Sequence, residues 1–378
     1  MSTTRDRAAS EGAQGGKLQE DGSMENTDVL VQRTGHLGHV VLNRPQAMNA
    51  LNHGMVVAVA RALDAWESDD AVATVLISGA GERGLCAGGD IVTIYHDART
   101  GGNATEQFWR DEYHLNARIR RYPKPVVALM DGVVLGGGVG ISAHASHRVV
   151  TERSRVGMPE TGIGFVPDVG GNYLLSRAPG ELGTHAALTG GMVSGADAVA
   201  MGLADHFVDA ANLAPLVAAL SERTASAAVA LYGQVPPASA LLAERAWIDD
   251  AYAGDDAGAI FARLARRSEP LAAKAAATIA AKSPTAVTVT LAALRRARAL
   301  DSLEDALNQD LRVSLRALRW PDFAEGIRAQ LVDKDRNPAW SPATLADVPA
   351  DVVARAFEDL GPHELGLGKL RKGTVAGQ

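Results

Sequence analysis

One cysteine, Cys86, stands in 378 residues. It excludes an internal disulfide and a zinc site built on cysteines, and a lone thiol of this kind reads first as a small buried hydrophobe. Histidine does not take its place: His36, His39, His53, His147 and His206 show no metal-ligand spacing such as His-Glu-x-x-His, so no metal or redox cofactor is expected. His144 reads as a packed or capping residue rather than a base. No apolar run approaches the roughly 18 residues that cross a bilayer, and a cytoplasmic protein without membrane contact is the expectation. Positive charge is also short, with 37 Lys and Arg against 44 Asp and Glu and a net charge of -7. That balance leaves no electrostatic footprint for nucleic acid. No P-loop, no spaced dinucleotide-binding glycine fingerprint and no repeat of fixed period is present.

What is there describes an ordinary globular chain, 47% hydrophobic and 21% charged, long enough for a sizeable core. Residues 1–27 are rich in Gly, Ser, Glu and Gln, lack an apolar leader segment and carry too many acids for a transit peptide, and read as a disordered tail. From Asp28, Val29 to Gln32 and His39 to Leu42 form two strands around a turn at Gly35 to Gly38. Pro45 breaks the second, and Asn49 is the expected start or cap of a helix over about 51–68. Val72 to Ser78 is a buried strand that runs into the glycine-rich loop Gly79 to Ile91. A helix carrying Glu112, Leu115 and Ile119 ends before Pro123. The order strand, glycine loop, helix then recurs, which implies an α/β core with ligand groups collected at strand ends. Ala196 to Phe207 suggests short helices. From about Leu213 the chain is alanine-rich and helical, with Leu303, Leu307, Leu311, Leu315 and Leu318 on one helix face.

The most informative stretch runs from Pro125 to Gly171. Pro125 to Met130 reads as a fully buried strand. Gly136, Gly137 and Gly138 then permit close approach of backbone to a ligand, and the following residues start a helix whose free N–H groups favour negative charge on an oxygen. With the loop at Gly79 to Ile91, two sets of backbone donors converge, the arrangement of an oxyanion hole. The stretch ends on two carboxylates, Glu160 and Asp168, each beside a proline and close to glycines.

The blocks LNRPQAMNALN, GLCAGGDI, FWRDEYHLN, DGVVLGGGVGISAH and VGMPETGIGFVPDVGG resemble the crotonase (enoyl-CoA hydratase/isomerase) superfamily, and within it the 3-hydroxyisobutyryl-CoA hydrolase branch. The resemblance implies an α/β fold, a crotonase-like spiral of ββα units with a helical C-terminal region. It divides the chain into a tail at 1–27, an acyl-CoA-binding core at 28–212, the helical region at 213–361 and a flexible tail at 362–378. It also implies an acyl-CoA thioester as partner, with CoA part of the substrate and no separate cofactor; superfamily members often form homo-oligomers such as trimers, which the hydrolase branch with its longer helical tail need not share. By motif the oxyanion donors are Ala87 and Gly137, Gly88 and Gly136 adjoin the substrate, and Gln46 and Ala47 lie against CoA. Many relatives have lysine at Gln46, so a phosphate contact would fall to a neighbour such as Arg44 or Lys334.

The carboxylates set the branch. Hydratases of this superfamily carry one glutamate just after the glycine triplet and a second in the Pro-Glu motif. Here the first position is Gly140, only Glu160 remains, and Asp168 occupies a place where hydratases have glycine. That exchange implies hydrolysis of a short 3-hydroxyacyl-CoA, with Glu160 as general base or nucleophile, Asp168 orienting water, and Glu112 binding the 3-hydroxyl. The alternatives are an enoyl-CoA hydratase or isomerase and an acyl-CoA-binding protein without turnover.

Overall fold

The computed structural model describes residues 27–100 and 102–368. The expected N-terminal tail therefore lies almost wholly outside the described residues.

Strands β1 (Val29–Thr34) and β2 (Leu37–Leu42) form an antiparallel hairpin whose turn uses Gly35 at φ 57°. Helix α1 (His53–Glu67) packs Met55, Val59, Leu63 and Trp66 inward at helical spacing and returns the chain to β3 (Thr74–Gly79), parallel to β2. Two helices, α2 (Ile91–Thr100) and α3 (Ala104–Arg121), precede β4 (Val126–Met130), a strand with every residue buried, as its unbroken apolar run requires. The main sheet has the order β1-β2-β3-β4 and is completed by β6 (His147–Val150) and β9 (His206–Phe207), all parallel from β2 onward.

A second, smaller sheet runs beside it. Strand β5 (Val133–Leu135) pairs in parallel with β7 (Arg155–Gly157), and β7 pairs antiparallel with β8 (Met192–Ser194). Single bridges extend this layer backwards through the chain, from Val134 to Cys86 and from Gly89 to Leu51. Each turn of the chain thus lays one strand in the large sheet and one in the small, then a helix: the expected spiral of ββα units. Helix α4 (Gly137–Ser142) follows β5 directly.

From Leu213 the chain is helical, and Leu303, Leu307 and Leu311 of helix Leu303–Ala317 are buried with Leu315 and Leu318 packed against them. A small cluster of Val289, Ala293, Val313, Ala356 and Phe357 lies mostly within this region, but most of the region's buried face is shared with the spiral. One continuous cluster holds Val59 and Ile77 from the spiral together with Leu291 and Leu365 from the C-terminal part.

Three expectations need correction. The cap of α1 is Asn52, whose side-chain oxygen accepts from Met55 N–H at 2.9 Å. Asn49 is instead a buried clasp at φ 57°: its oxygen accepts from Arg44 N–H at 2.9 Å, while its amide donates to Ala80 O at 3.0 Å and Gly84 O at 3.1 Å, tying the first loop to the second. Ala196 to Phe207 is part helix and part strand, because His206 and Phe207 reach the edge of the large sheet. The tail expected at 362–378 is not loose at its start. Leu365 is buried, and Glu364 accepts from Arg312 Nε and from Leu360 N–H, both at 2.7 Å; residues 369–378 lie outside the described residues. Replacing Asn52 by alanine strips one orphan donor of its acceptor and is expected to cost about 1 kcal/mol in urea denaturation.

Candidate active site

The two glycine loops meet because they are zipped to one another. Leu85 N–H donates to Asp131 O at 3.0 Å, Cys86 N–H to Val133 O at 3.1 Å, and Leu135 N–H returns to Cys86 O at 2.9 Å. The ladder carries Gly88 and Gly89 alongside Gly136 and Gly137, and a Cβ added to Gly138 would lie 2.5 Å from Cys86 O. Nothing larger than glycine fits between the loops.

Above this junction is a cavity of about 270 Å³. Ala87, Gly88, Gly136, Gly137, Glu112, Glu160 and Asp168 all line it, so seven of the nine expected site residues come together. Gln46 and Ala47 do not reach the wall. They form the short turn Pro45–Ala47 on the adjoining surface, where Arg83 donates to the carbonyls of Pro45 and Gln46. Arg44 is committed elsewhere, to Ala50 O at 2.7 Å and Asp90 Oδ2 at 3.1 Å. The cation beside that turn is therefore Arg83, which motif reading passed over.

Ala87 needs correction as a donor. Its N–H is already bonded to Met48 O at 3.0 Å, the same loop-to-loop stitching that fixes Asn49. Two residues on, the N–H of Gly89 has no acceptor among the described residues, and neither does that of Gly137. They are neighbours: a Cβ on Gly137 would lie 3.4 Å from Gly89 N. Which amide of Cys86-Ala87-Gly88-Gly89 is free depends on the partner across the gap, which motif position alone does not report.

Three acids face the cavity from three elements. Glu112 comes from α3, Glu160 from the 3-10 turn Glu160–Ile163, and Asp168 from the loop before helix α5 (Gly171–Leu175). Oε1 of Glu112 and Oε2 of Glu160 are buried with no hydrogen-bond partner among the described residues, which leaves both free to meet a ligand. Burial lifts the carboxyl of Glu112 well above its ordinary range, and the charges of Asp168 and Glu160 add to this. Glu160 is lifted by burial and by Asp168, and Lys282 works in the opposite direction. Asp168 is pushed up by burial only to about 6, because a hydrogen bond from Tyr113 favours its anion. Of the three acids, Asp168 is the one whose anion is supported by a side-chain hydrogen bond. Trp109 and Phe165 stack at 5.3 Å, Phe165 meets Phe323 at 5.1 Å, and the three give the cavity an apolar wall.

His144 behaves as expected of a packed residue. Burial lowers its pKa to about 4, so the ring is neutral and donates from Nε2 to Val169 O at 2.7 Å. Val169 itself sits at φ 50°, a strained conformation for a β-branched residue, directly after Asp168.

Residues 37–357 match the enoyl-CoA hydratase/isomerase family. The chain belongs to that family. The 3-hydroxyisobutyryl-CoA hydrolase, mitochondrial, of Danio rerio is 37% identical over 91% of this chain and 93% of its own length. Among solved structures, a carnitinyl-CoA dehydratase from Mycobacterium thermoresistibile is 54% identical over 90% of this chain and 98% of its own, with a TM-score of 0.87. An enoyl-CoA hydratase from Rhodobacter sphaeroides is 41% identical over 90% of this chain and 99% of its own, with a TM-score of 0.85. The spiral core, the two glycine loops and the C-terminal helices are the crotonase-like fold of this family.

A raised carboxyl pKa has a cost in stability. Asp168 contributes most favourably while protonated, so its contribution is lost as pH rises through about 6. The interval from its ordinary 3.8 corresponds to on the order of 3 kcal/mol. Asp168→Asn is therefore expected to melt above the parent protein at pH 8, with the difference shrinking as pH falls toward 5 in a series of thermal melts.

Proposed function

We propose that this chain hydrolyses a short 3-hydroxyacyl-CoA thioester, with 3-hydroxyisobutyryl-CoA as the first candidate substrate, giving CoA and the free 3-hydroxy acid. The observation that carries the reading is at Gly140. Hydration of an enoyl-CoA by the two-glutamate route needs a carboxylate there, yet a Cβ at this position would lie 2.6 Å from Val169 Cβ and 3.1 Å from Asn116 Nδ2. The space a glutamate would need is filled, and the second acid of the cavity arrives as Asp168 instead. The animal relative named for this hydrolysis supports the same substrate, which would set the enzyme in valine breakdown. A second reading, addition or removal of water across a carbon–carbon double bond, is favoured by the names of the two crystal structures.

In the proposed reaction the thioester oxygen lies on the N–H groups of Gly89 and Gly137, which stabilise the charge that grows on it; one such donor is worth about 3 kcal/mol of barrier. Asp168, the anion, takes a proton from water as the water oxygen bonds to the thioester carbon. The tetrahedral intermediate collapses, the carbon–sulfur bond breaks, and Glu160, held protonated, gives its proton to the departing thiolate. Transfer of the proton from Asp168 back to Glu160 restores the resting state. This division reverses the roles implied by resemblance, since the acid whose anion Tyr113 supports by a hydrogen bond serves as base. Glu112, neutral and with a free oxygen, meets the 3-hydroxyl group, and the Trp109, Phe165 and Phe323 wall takes the carbon body. Small residues at Gly88 and Gly136 let the thioester approach, and CoA runs out over the Gln46 and Ala47 turn toward Arg83.

A thiol-trapping assay on 3-hydroxyisobutyryl-CoA tests the proposal: CoA release is expected, whereas water addition to an enoyl-CoA without thiol release would choose the second reading. Binding of the thioester with no turnover would leave only an acyl-CoA-binding protein. Between pH 5 and 9, kcat/KM should rise through about 6 as Asp168 ionises and fall at higher pH as Glu160 loses its proton. Gly140→Glu should gain no hydration activity and should unfold more readily, by about 1–3 kcal/mol, because the new side chain overpacks Val169.

A further inference from the structure

Asp168 is held from behind by a residue that does not line the cavity. Tyr113 follows Glu112 on α3 and is fully buried, and its hydroxyl donates to Asp168 Oδ2 at 2.7 Å. The phenol oxygen of Tyr113 is also 2.8 Å from Ser314 Oγ, on helix Leu303–Ala317. A phenol has one proton. It is already engaged with the carboxylate, so Ser314 must be the donor in the second bond. Burial and the nearby charges of Asp168 and Asp310 raise the Tyr113 phenol far above its ordinary range, which keeps that proton in place.

The proton count decides the direction of every bond in this chain: Ser314 to Tyr113, Tyr113 to Asp168. Oδ1 of Asp168 is left without a side-chain partner among the described residues, in a residue that lines the cavity. Neither neighbouring acid has an equivalent partner, since Glu112 Oε1 and Glu160 Oε2 are unsatisfied. The remaining groups around Asp168 are also accounted for. Asp310, behind it, accepts from Gly170 N–H at 2.8 Å, and burial holds its carboxyl well above the usual range. His144 is neutral and engaged with Val169 O, and Lys282 acts on Glu160. Among the described residues Tyr113 is therefore the side chain that distinguishes Asp168 from the other two acids by a hydrogen bond.

We infer that Tyr113, backed by Ser314, is a positioning residue that fixes one oxygen of Asp168, presents the other to the substrate, and so selects Asp168 from three acids as the proton acceptor. The inference rests on the acid and base roles proposed above. It deepens them by naming what sets the order of ionisation, and it explains why a tyrosine and a serine 201 residues apart meet in the core.

The test is the pH dependence of kcat/KM, followed by thiol release from 3-hydroxyisobutyryl-CoA, in Tyr113→Phe, Ser314→Ala and a protein with 3-fluorotyrosine introduced at position 113. Without its donor Asp168 becomes a weaker acid. The acid limb of Tyr113→Phe is expected to move up by about one pH unit, with about a fivefold loss at pH 6 that narrows by pH 8. Ser314→Ala should move it the same way by less. Fluorotyrosine keeps the shape and donates more strongly, so its limb should move down. A merely structural role would lower all rates by one factor and leave the limb unmoved, and that result would overturn the inference. If the phenylalanine protein does not fold or turn over, the fluorotyrosine profile decides alone. Asp168→Asn separates the two levels: full hydrolysis by that variant removes the acid and base reading itself, whereas its inactivity beside an unmoved fluorotyrosine limb removes only the part assigned to Tyr113.

Discussion

Three carboxyl groups share one apolar cavity, and the rest of the site follows from the cost of keeping them there. Placed in water each would ionise near pH 4. Here burial penalises every charge, and each charge that does form penalises the next. The fold meets this cost unequally. It supplies Asp168 with a phenol donor, leaves oxygens of Glu112 and Glu160 unsatisfied, and brings a half-buried Lys282 to the side of Glu160. The outcome is an ordered set of acids rather than three equivalent ones, which is what a reaction needing both a donor and an acceptor of protons requires.

The glycines belong to the same constraint. A Cβ on Gly137 would lie 2.6 Å from Glu112 Oε1, and one on Gly136 would lie 2.8 Å from Glu160 Oε1. The triplet is bare because acids crowd against it as well as because a ligand must reach its amides. At Gly140 the neighbour is Val169, held in a strained conformation by the hydrogen bond from His144. Asp168 and the exclusion of a side chain at Gly140 are thus one structural decision, made by the path of the loop that carries both Asp168 and Val169.

Much of this was legible in the residues. Alternating strands and glycine loops announced an α/β core, and the acids beside proline and glycine announced a placed pair. What escaped was decided by contacts across the fold. Ala87 and Gly89 are equally plausible donors until Met48 O is seen to occupy one of them. Asn49 and Asn52 are equally good caps until one is found buried between two loops. Helix α2 begins where the loop expected at Gly79 to Ile91 ends and no sequence signal announced it, and nothing in the sequence singles out Tyr113, since its meaning lies in Asp168 and Ser314. Burial of Leu365 depends on a core that the chain completes late.

That shared core has a consequence for how the chamber is completed. The cavity floor comes from residues 87–89 and 136–137, but its far wall is made by Lys282, Phe323 and Gln330. Helix Leu303–Ala317 also supplies Ser314 behind Tyr113 and Asp310 behind Gly170, so the acids themselves are ordered from that side. Only docking of the last helices shuts the chamber. A chamber begun by residues early in the chain is thus completed only by residues near its end.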